Sequence, residues 1–240
     1  MLGLLTVVTT LALLTIAGFV KEISKAPTVT SPAALTTTAH ATRPATPRPS
    51  LQARSSPSAS AKVSQINDAS SGLSYQLLAP PWRRGCPAAL NTPMFSWTAG
   101  ESAVAGRVDI GGTVTDWYGN ACSGQLQQQF TYSGPGDLEP VTMSLADALD
   151  PAYYSGLQHY RTIEGSSATT VSGYQAWVIT FLMTYPDAAS QGLAWTSEAA
   201  AVVVVDRGAG TAPAVFYASV PSNLGTSNVA TLISSLRLSR

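Results

Sequence analysis

The chain offers little that could do chemistry: two cysteines, one histidine within its folded part, a scatter of carboxylates and five tryptophans. Cys86 and Cys122 are an isolated pair. In a domain outside the cytoplasm such a pair most simply forms one disulfide. A redox pair is the weaker reading, because the Cys-x-x-Cys spacing is missing. His159 lies in Leu157-Gln158-His159-Tyr160. Any Ser-His-Asp or Cys-His arrangement would have to use it, yet no nucleophile motif stands beside it. An ordinary hydrogen-bonded histidine is the plainer reading. Gly-x-Ser-x-Gly, the Walker glycine loop and His-Glu-x-x-His are all missing.

Gly208-Ala209-Gly210 looks like a piece of a dinucleotide loop but joins two apolar runs of strand character, which makes it a turn. Asp109, Asp116, Asp147, Asp150 and Glu164 show no spacing typical of a cation-binding loop. Two of these acids meeting in space would make a glycosidase-like site. A cell-envelope hydrolase using a carboxylate pair is therefore the alternative function. No catalytic, cofactor-binding or metal-binding residue is assigned from the sequence. Among Trp82, Trp97, Trp117, Trp177 and Trp195, the strand phase puts Trp177 in the core. Trp82 and Trp117 fall among loop residues near the cysteine pair and could line a ligand cleft, although core packing is the plainer reading of each.

The elements that would position these residues are legible in the hydrophobic pattern. From Gly173 to Tyr185 the residues Trp177, Ile179, Phe181 and Met183 alternate with more polar neighbours, which reads as a strand with one buried face. Ala199 to Val205 is continuously apolar, as in a central strand, and Ala214 to Val220 resumes after a turn, so the two form a β-hairpin. Further strands are expected around Phe95–Trp97, Val104–Asp109, Thr115–Tyr118 and His159–Ile163. Leu138, Val141, Leu145 and Leu149 share a helical face, with Asp137 as N-cap and Pro151 closing the helix. Val229, Leu232, Ile233 and Leu236 mark a second helix, capped by Thr226 or Ser227. Helices flanking antiparallel strands imply an α+β layered domain, expected over residues 71–240.

What precedes the domain is of another kind. Leu2 to Val20 is uncharged and apolar, long enough as a helix for roughly 28 Å of bilayer. Residues 1–25 therefore read as a transmembrane anchor with its flank. A cleaved signal peptide is the rival reading, its nearest small-x-small site being Ser24-Lys25-Ala26. Residues 26–70 read as a disordered linker rich in Ala, Pro, Ser and Thr, too poor in large apolar groups to offset its ordering entropy. Such stalks outside cells are commonly O-glycosylated. Lys21 and Lys25 follow the apolar segment, against the usual cytoplasmic bias of basic residues. The linker and the cysteine pair favour the opposite orientation, so a basic stub upstream of Met1 is expected. Residues 1–70 carry a net +4, which leaves the domain mildly acidic since the overall charge is zero. That balance argues against nucleic acid.

Several landmarks carry a resemblance: Ala79-Pro80-Pro81-Trp82, Phe95-Ser96-Trp97-Thr98-Ala99-Gly100-Glu101-Ser102, Cys122-Ser123-Gly124, Asp137-Leu138 and Val171-Ser172-Gly173-Tyr174-Gln175-Ala176-Trp177. Val204-Val205-Asp206-Arg207-Gly208, Pro213-Ala214-Val215, Val220-Pro221 and Ser235-Leu236-Arg237 complete it. In their order the chain resembles a group of actinobacterial membrane-anchored proteins with a domain similar to PsbP and to the mycobacterial lipoprotein LpqN. The resemblance implies an antiparallel sheet covered by helices (a PsbP-like layered sandwich) and a role as a binding or accessory module. It supplies no functional residue. The expected function is a single-pass, extracytoplasmic binding or accessory domain, held at the cell membrane through Leu2 to Val20, whose partner is a protein or another envelope ligand.

Overall fold

Ala200 to Val205 is buried on both faces of its strand, and the domain is built in layers around it. The computed structural model describes residues 64–239. The anchor segment Leu2 to Val20 and the linker up to residue 63 lie outside them. Among the described residues no helix is long and apolar enough to cross a membrane.

In chain order the elements are β1 (Gln65–Asn67), β2 (Leu73–Gln76), β3 (Arg83–Arg84), β4 (Trp97–Ile110), β5 (Thr113–Gln125), α1 (Leu138–Leu149), β6 (Tyr160–Val171), β7 (Tyr174–Thr184), β8 (Ser197–Val205), β9 (Ala214–Pro221), α2 (Asn228–Ser235) and β10 (Arg237–Leu238). Seven strands form an antiparallel sheet in the order β3-β4-β5-β9-β8-β7-β6, and β1-β2-β10 form a small second sheet. Period-two alternation divides the core between the two faces of the large sheet. Ile179, Phe181, Met183, Ala200, Val202, Val204, Val215 and Tyr217 pack beneath Val141, Leu145 and Leu149 of α1. Ala201, Val203, Val205, Phe216, Ala218 and Val220 face the other way, beneath Val229 and Leu232 of α2 and beneath Leu73 and Tyr75 of the small sheet. An α+β architecture with an antiparallel sheet covered by helices is the outcome. The β8–β9 hairpin pairs Val205 with Ala214, and Gly208 and Gly210 supply the positive φ its turn requires.

Several details differ from the sequence expectations. β1 and the buried Asp68 fall inside residues 26–70, the stretch expected to be linker. Asp68 draws that segment in: it accepts hydrogen bonds from Ser71 Oγ (2.6 Å), Thr98 Oγ1 (2.8 Å) and Ser123 Oγ (2.9 Å), tying the start of the domain to β4 and β5. Burial pushes its carboxyl pKa upward, but the hydroxyl donors outweigh it and hold the pKa below the ordinary value. Asp137 occupies the N-cap position of α1 without capping it; its carboxylate accepts the Ser133 N–H at 2.7 Å instead. Pro151 does not end the helical path, because the chain continues from α1 into one π-helical turn, Asp150–Tyr154. Trp177 has the strand phase of Ile179 and Phe181 but is only partly buried; its indole N–H donates to Ser166 on the edge strand β6.

One feature of the fold creates the site. β5 stops pairing with β9 at Asn120↔Ser219, whereas β4 and β5 stay paired out to Ile110↔Thr113. The end of the β4–β5 hairpin therefore projects past the sheet. A register shift between Val104 and Gly106 interrupts it where Trp195 packs. A Cβ on Gly106 would lie 2.9 Å from the Trp195 ring, so the absence of a side chain there admits the indole.

Candidate functional site

Between the projecting hairpin, the 3₁₀ turn Ala88–Leu90 and the π-helical turn Asp150–Tyr154 lies a cavity of about 230 Å³. Ile110, Thr115 and Trp117 come from the hairpin, Leu90 from the 3₁₀ turn, and Tyr153 and Tyr154 from the π-helical turn. Its floor is polar. Glu198 of β8, Tyr217 and Ser219 of β9 and Asn120 of β5 all contribute to it.

Glu198 organises the floor. Its residue phase continues that of Ala200, Val202 and Val204, so the carboxyl lies on the α1 side of the sheet, 1% exposed. Oε1 accepts the Trp117 indole N–H and the Tyr185 hydroxyl (2.8 Å), and Oε2 accepts Ser219 Oγ (2.6 Å). Burial pushes its carboxyl pKa upward, while the donors from Ser219, Tyr185 and Trp117 partly oppose this. Because Ser219 donates to Glu198, the hydroxyls behind it are ordered. Tyr154 donates to Ser219 (2.9 Å), and Tyr217, 2.7 Å away, donates to Tyr154. Burial raises the pKa of both tyrosines, which keeps them protonated in that chain.

Aromatic rings form the remaining wall. Trp117 stacks on the buried Trp195 with centroids 5.9 Å apart. Tyr153 lies beside Tyr217, centroids 5.7 Å apart; its hydroxyl donates to the Leu90 carbonyl and accepts from Trp97 Nε1. Asn120 is 4% exposed, and its Oδ1 accepts no hydrogen bond. A buried acceptor without a donor is rare in a native fold; Asn120 lines the cavity, but this oxygen is turned away from solvent.

The cysteines form a disulfide, Cys86–Cys122, with a Cα–Cα distance of 5.9 Å. It joins the stretch leading into the 3₁₀ turn to β5, two residues beyond Asn120. Gly100 is needed beneath it, since a Cβ there would run into Cys86 Sγ and the Ala121 carbonyl. Of the two tryptophans that could line a cleft, Trp117 lines the cavity and Trp82 does not. Trp82 is 5% exposed on the opposite face, in the core beneath α2, with its ring over Gly119. The two are not brought together. His159 is held by the Leu157 carbonyl (2.7 Å) and Asp150 (3.0 Å), and among the described residues neither ring nitrogen bonds to a hydroxyl. Asp147 and Asp150 pair with Arg161, and Asp109 accepts the Gly112 N–H in the hairpin turn. Among the described residues no group of three or more His, Cys, Asp or Glu comes together as a metal cluster.

Glu198 and Asp116 both line the cavity. Glu198 carries three donors, and Asp116 is paired with Arg107 at 3.4 Å. A larger hollow of about 620 Å³ lies between the loop segments Leu126–Pro135 and Asp206–Pro213, without a buried carboxyl. Most of the functional floor escaped sequence reasoning. One signal was present: Glu198 leads the apolar run Ala199 to Val205 in the phase of its buried positions, where a charge is unexpected.

No family model matches the sequence, and no curated protein matches it. Among solved structures the chain is similar to cyanobacterial PsbP (CyanoP) from Synechocystis sp. PCC 6803, determined in solution. The TM-score is 0.46 with 10% identity, over 74% of this chain and 92% of that one.

Proposed function

We propose that the chain is a non-enzymatic binding or accessory protein that takes a small ligand, free or presented by a partner, in the cavity above Glu198. The observation that carries this reading is the cavity itself, walled by Leu90, Trp117 and Tyr153 over a floor whose polar side chains are held in fixed places by the hydrogen bonds to Glu198. Preformed walls and a few convergent polar groups are what small-molecule sites share. In this reading the domain stands outside the cytoplasm, attached to the membrane through Leu2 to Val20. The Cys86–Cys122 bridge supports that location, because disulfides persist in oxidising compartments.

The test is a thermal-shift screen of the full chain against the small-molecule fraction of the cell envelope. A fraction that raises the melting temperature of the native chain, but not of Trp117→Ala, supports the reading. Shifts of equal size in both proteins would remove the cavity from consideration.

A further inference from the structure

The large sheet is open at both ends, and the two ends differ. β3 is two residues long and both are arginine, while the small sheet ends in β1 and β10, of three and two residues. Short or charged edges resist pairing with other chains. β6, the opposite edge of the large sheet, runs for 12 residues. Its first half is guarded by Arg161 and by the irregularity at Glu164, where the pairing with β7 shifts between Ile163 and Gly165. Residues 165–171 have no such guard: neither charge nor proline occurs there, and residues 166–170 are exposed. Apart from their pairing with β7, the backbone groups of these residues make no hydrogen bond among the described residues. Alternate N–H and C=O groups of the edge therefore point outward, unpaired. The other strand lengths without a neighbour are blunted. Residues 103–110 of β4, beyond β3, hold Arg107, Asp109 and the register shift at Val104. Residues 113–119 of β5, beyond β9, hold Asp116.

We propose that residues 165–171 pair antiparallel with the same residues of a second copy of this chain, joining two large sheets into one across a two-fold axis. Such a contact is isologous, so a single contact closes both open edges. With the axis at Ala168, Ser166 faces Thr170 of the second copy and Ser167 faces its Thr169, hydroxyl pairs that suit adjacent strands. Arg161 and Glu164 then fall opposite Gln175 and Ser172 of the second copy, so no two like charges meet. A foreign strand would find nothing here to select it, since the exposed side chains are small and uncharged. The contact is separate from the cavity, which has no lining residue on β6.

Ala168 is exposed and meets its own copy across the axis, so substitutions there test the contact in the full chain. Sedimentation equilibrium should show the native chain exchanging between monomer and dimer. Ala168→Lys and Ala168→Glu should each weaken dimerisation by about fivefold, because like charges then lie directly opposite. An equimolar mixture of the two should dimerise again. Under mild oxidation Ala168→Cys should be trapped as a disulfide-linked dimer. Val114→Cys, 63% exposed at the end of the β4–β5 hairpin, should stay monomeric. A native chain that remains monomeric, with no linked dimer from Ala168→Cys, would overturn the proposal. So would dimerisation that neither charge reduces, a mixture of the charged variants that stays monomeric, or linking at Val114→Cys as ready as at Ala168→Cys. A linked product whose mass is not twice that of the chain would put a different protein on this edge and overturn it as well.

Discussion

Trp117, on the part of the β4–β5 hairpin that projects beyond the sheet, donates its indole N–H to Glu198, buried at the start of β8. This bond, with the Trp117–Trp195 stack and the Asn223 amide on the Ala105 carbonyl, fastens the projecting hairpin to the rest of the domain beside the cavity. Its donor comes from a surface element and its acceptor from the core, which is how a rigid scaffold holds a site at its edge.

The tryptophans should separate by burial. Trp82→Ala removes a side chain enclosed beneath α2 and should cost about 3–5 kcal/mol. Trp177→Ala removes a partly buried ring at the edge of the α1 core and should cost roughly 1–2 kcal/mol. Chemical denaturation of both variants checks the order. Equal losses would mean that Trp177 is as enclosed as its strand phase implies.

That contrast shows what was legible in the sequence and what was not. Alternation located β7 and its buried face correctly, because Ile179, Phe181 and Met183 obey it. It could not tell that Trp177 is only partly covered, since cover is supplied by distant elements. β1, β2, β3 and β10 are two to four residues long, too short for any periodic signal. The site was harder still. Asn120, Tyr154, Glu198 and Ser219 are far apart in the chain and meet only through strand order. Only Glu198 breaks a local pattern.

Asp68 should be a strong anchor of the domain's first segment. Asp68→Ala leaves Ser71 and Ser123, both buried, without their acceptor and should cost about 2–3 kcal/mol. Because the folded pKa is lowered, this contribution is present above the ordinary carboxylate range and is lost as pH falls through the folded value. Melting curves of native and variant chains should therefore converge in acid. A constant gap at every pH would contradict the assignment.

Glu101 has the opposite sign. It is buried on β4, where Oε2 accepts the Leu78 N–H at 2.9 Å and Oε1 has no partner. Burial raises its pKa from 4.5 to about 7, with the Leu78 N–H and Arg84 opposing the shift. A raised folded pKa contributes stability that is complete below 4.5 and is lost as pH rises through about 7. Glu101→Gln retains an acceptor for Leu78 and should flatten the decline in melting temperature across that window. An unchanged slope would show that Glu101 is not its source.

The Cys86–Cys122 bridge closes positions 36 apart in sequence, which in the chain-entropy picture stabilises the fold by about 3–4 kcal/mol. Alkylation of the unreduced, denatured chain followed by mass spectrometry should label neither cysteine. A Cys86→Ala, Cys122→Ala double variant should lose roughly that stability. Two labelled thiols in protein recovered from its native compartment would refute the bridge.

The site itself is tested most directly by the indole N–H resonances of the five tryptophans, followed while the full chain is titrated with the small-molecule fraction of the cell envelope. Trp117, whose N–H meets Glu198 at the cavity, should move most. Trp97 should follow it through Tyr153. Trp82, beneath α2, and Trp177, bonded to Ser166 on the edge strand, should stay in place. Movement of Trp82 or Trp177 with Trp117 unmoved would place binding elsewhere and contradict a ligand site above Glu198.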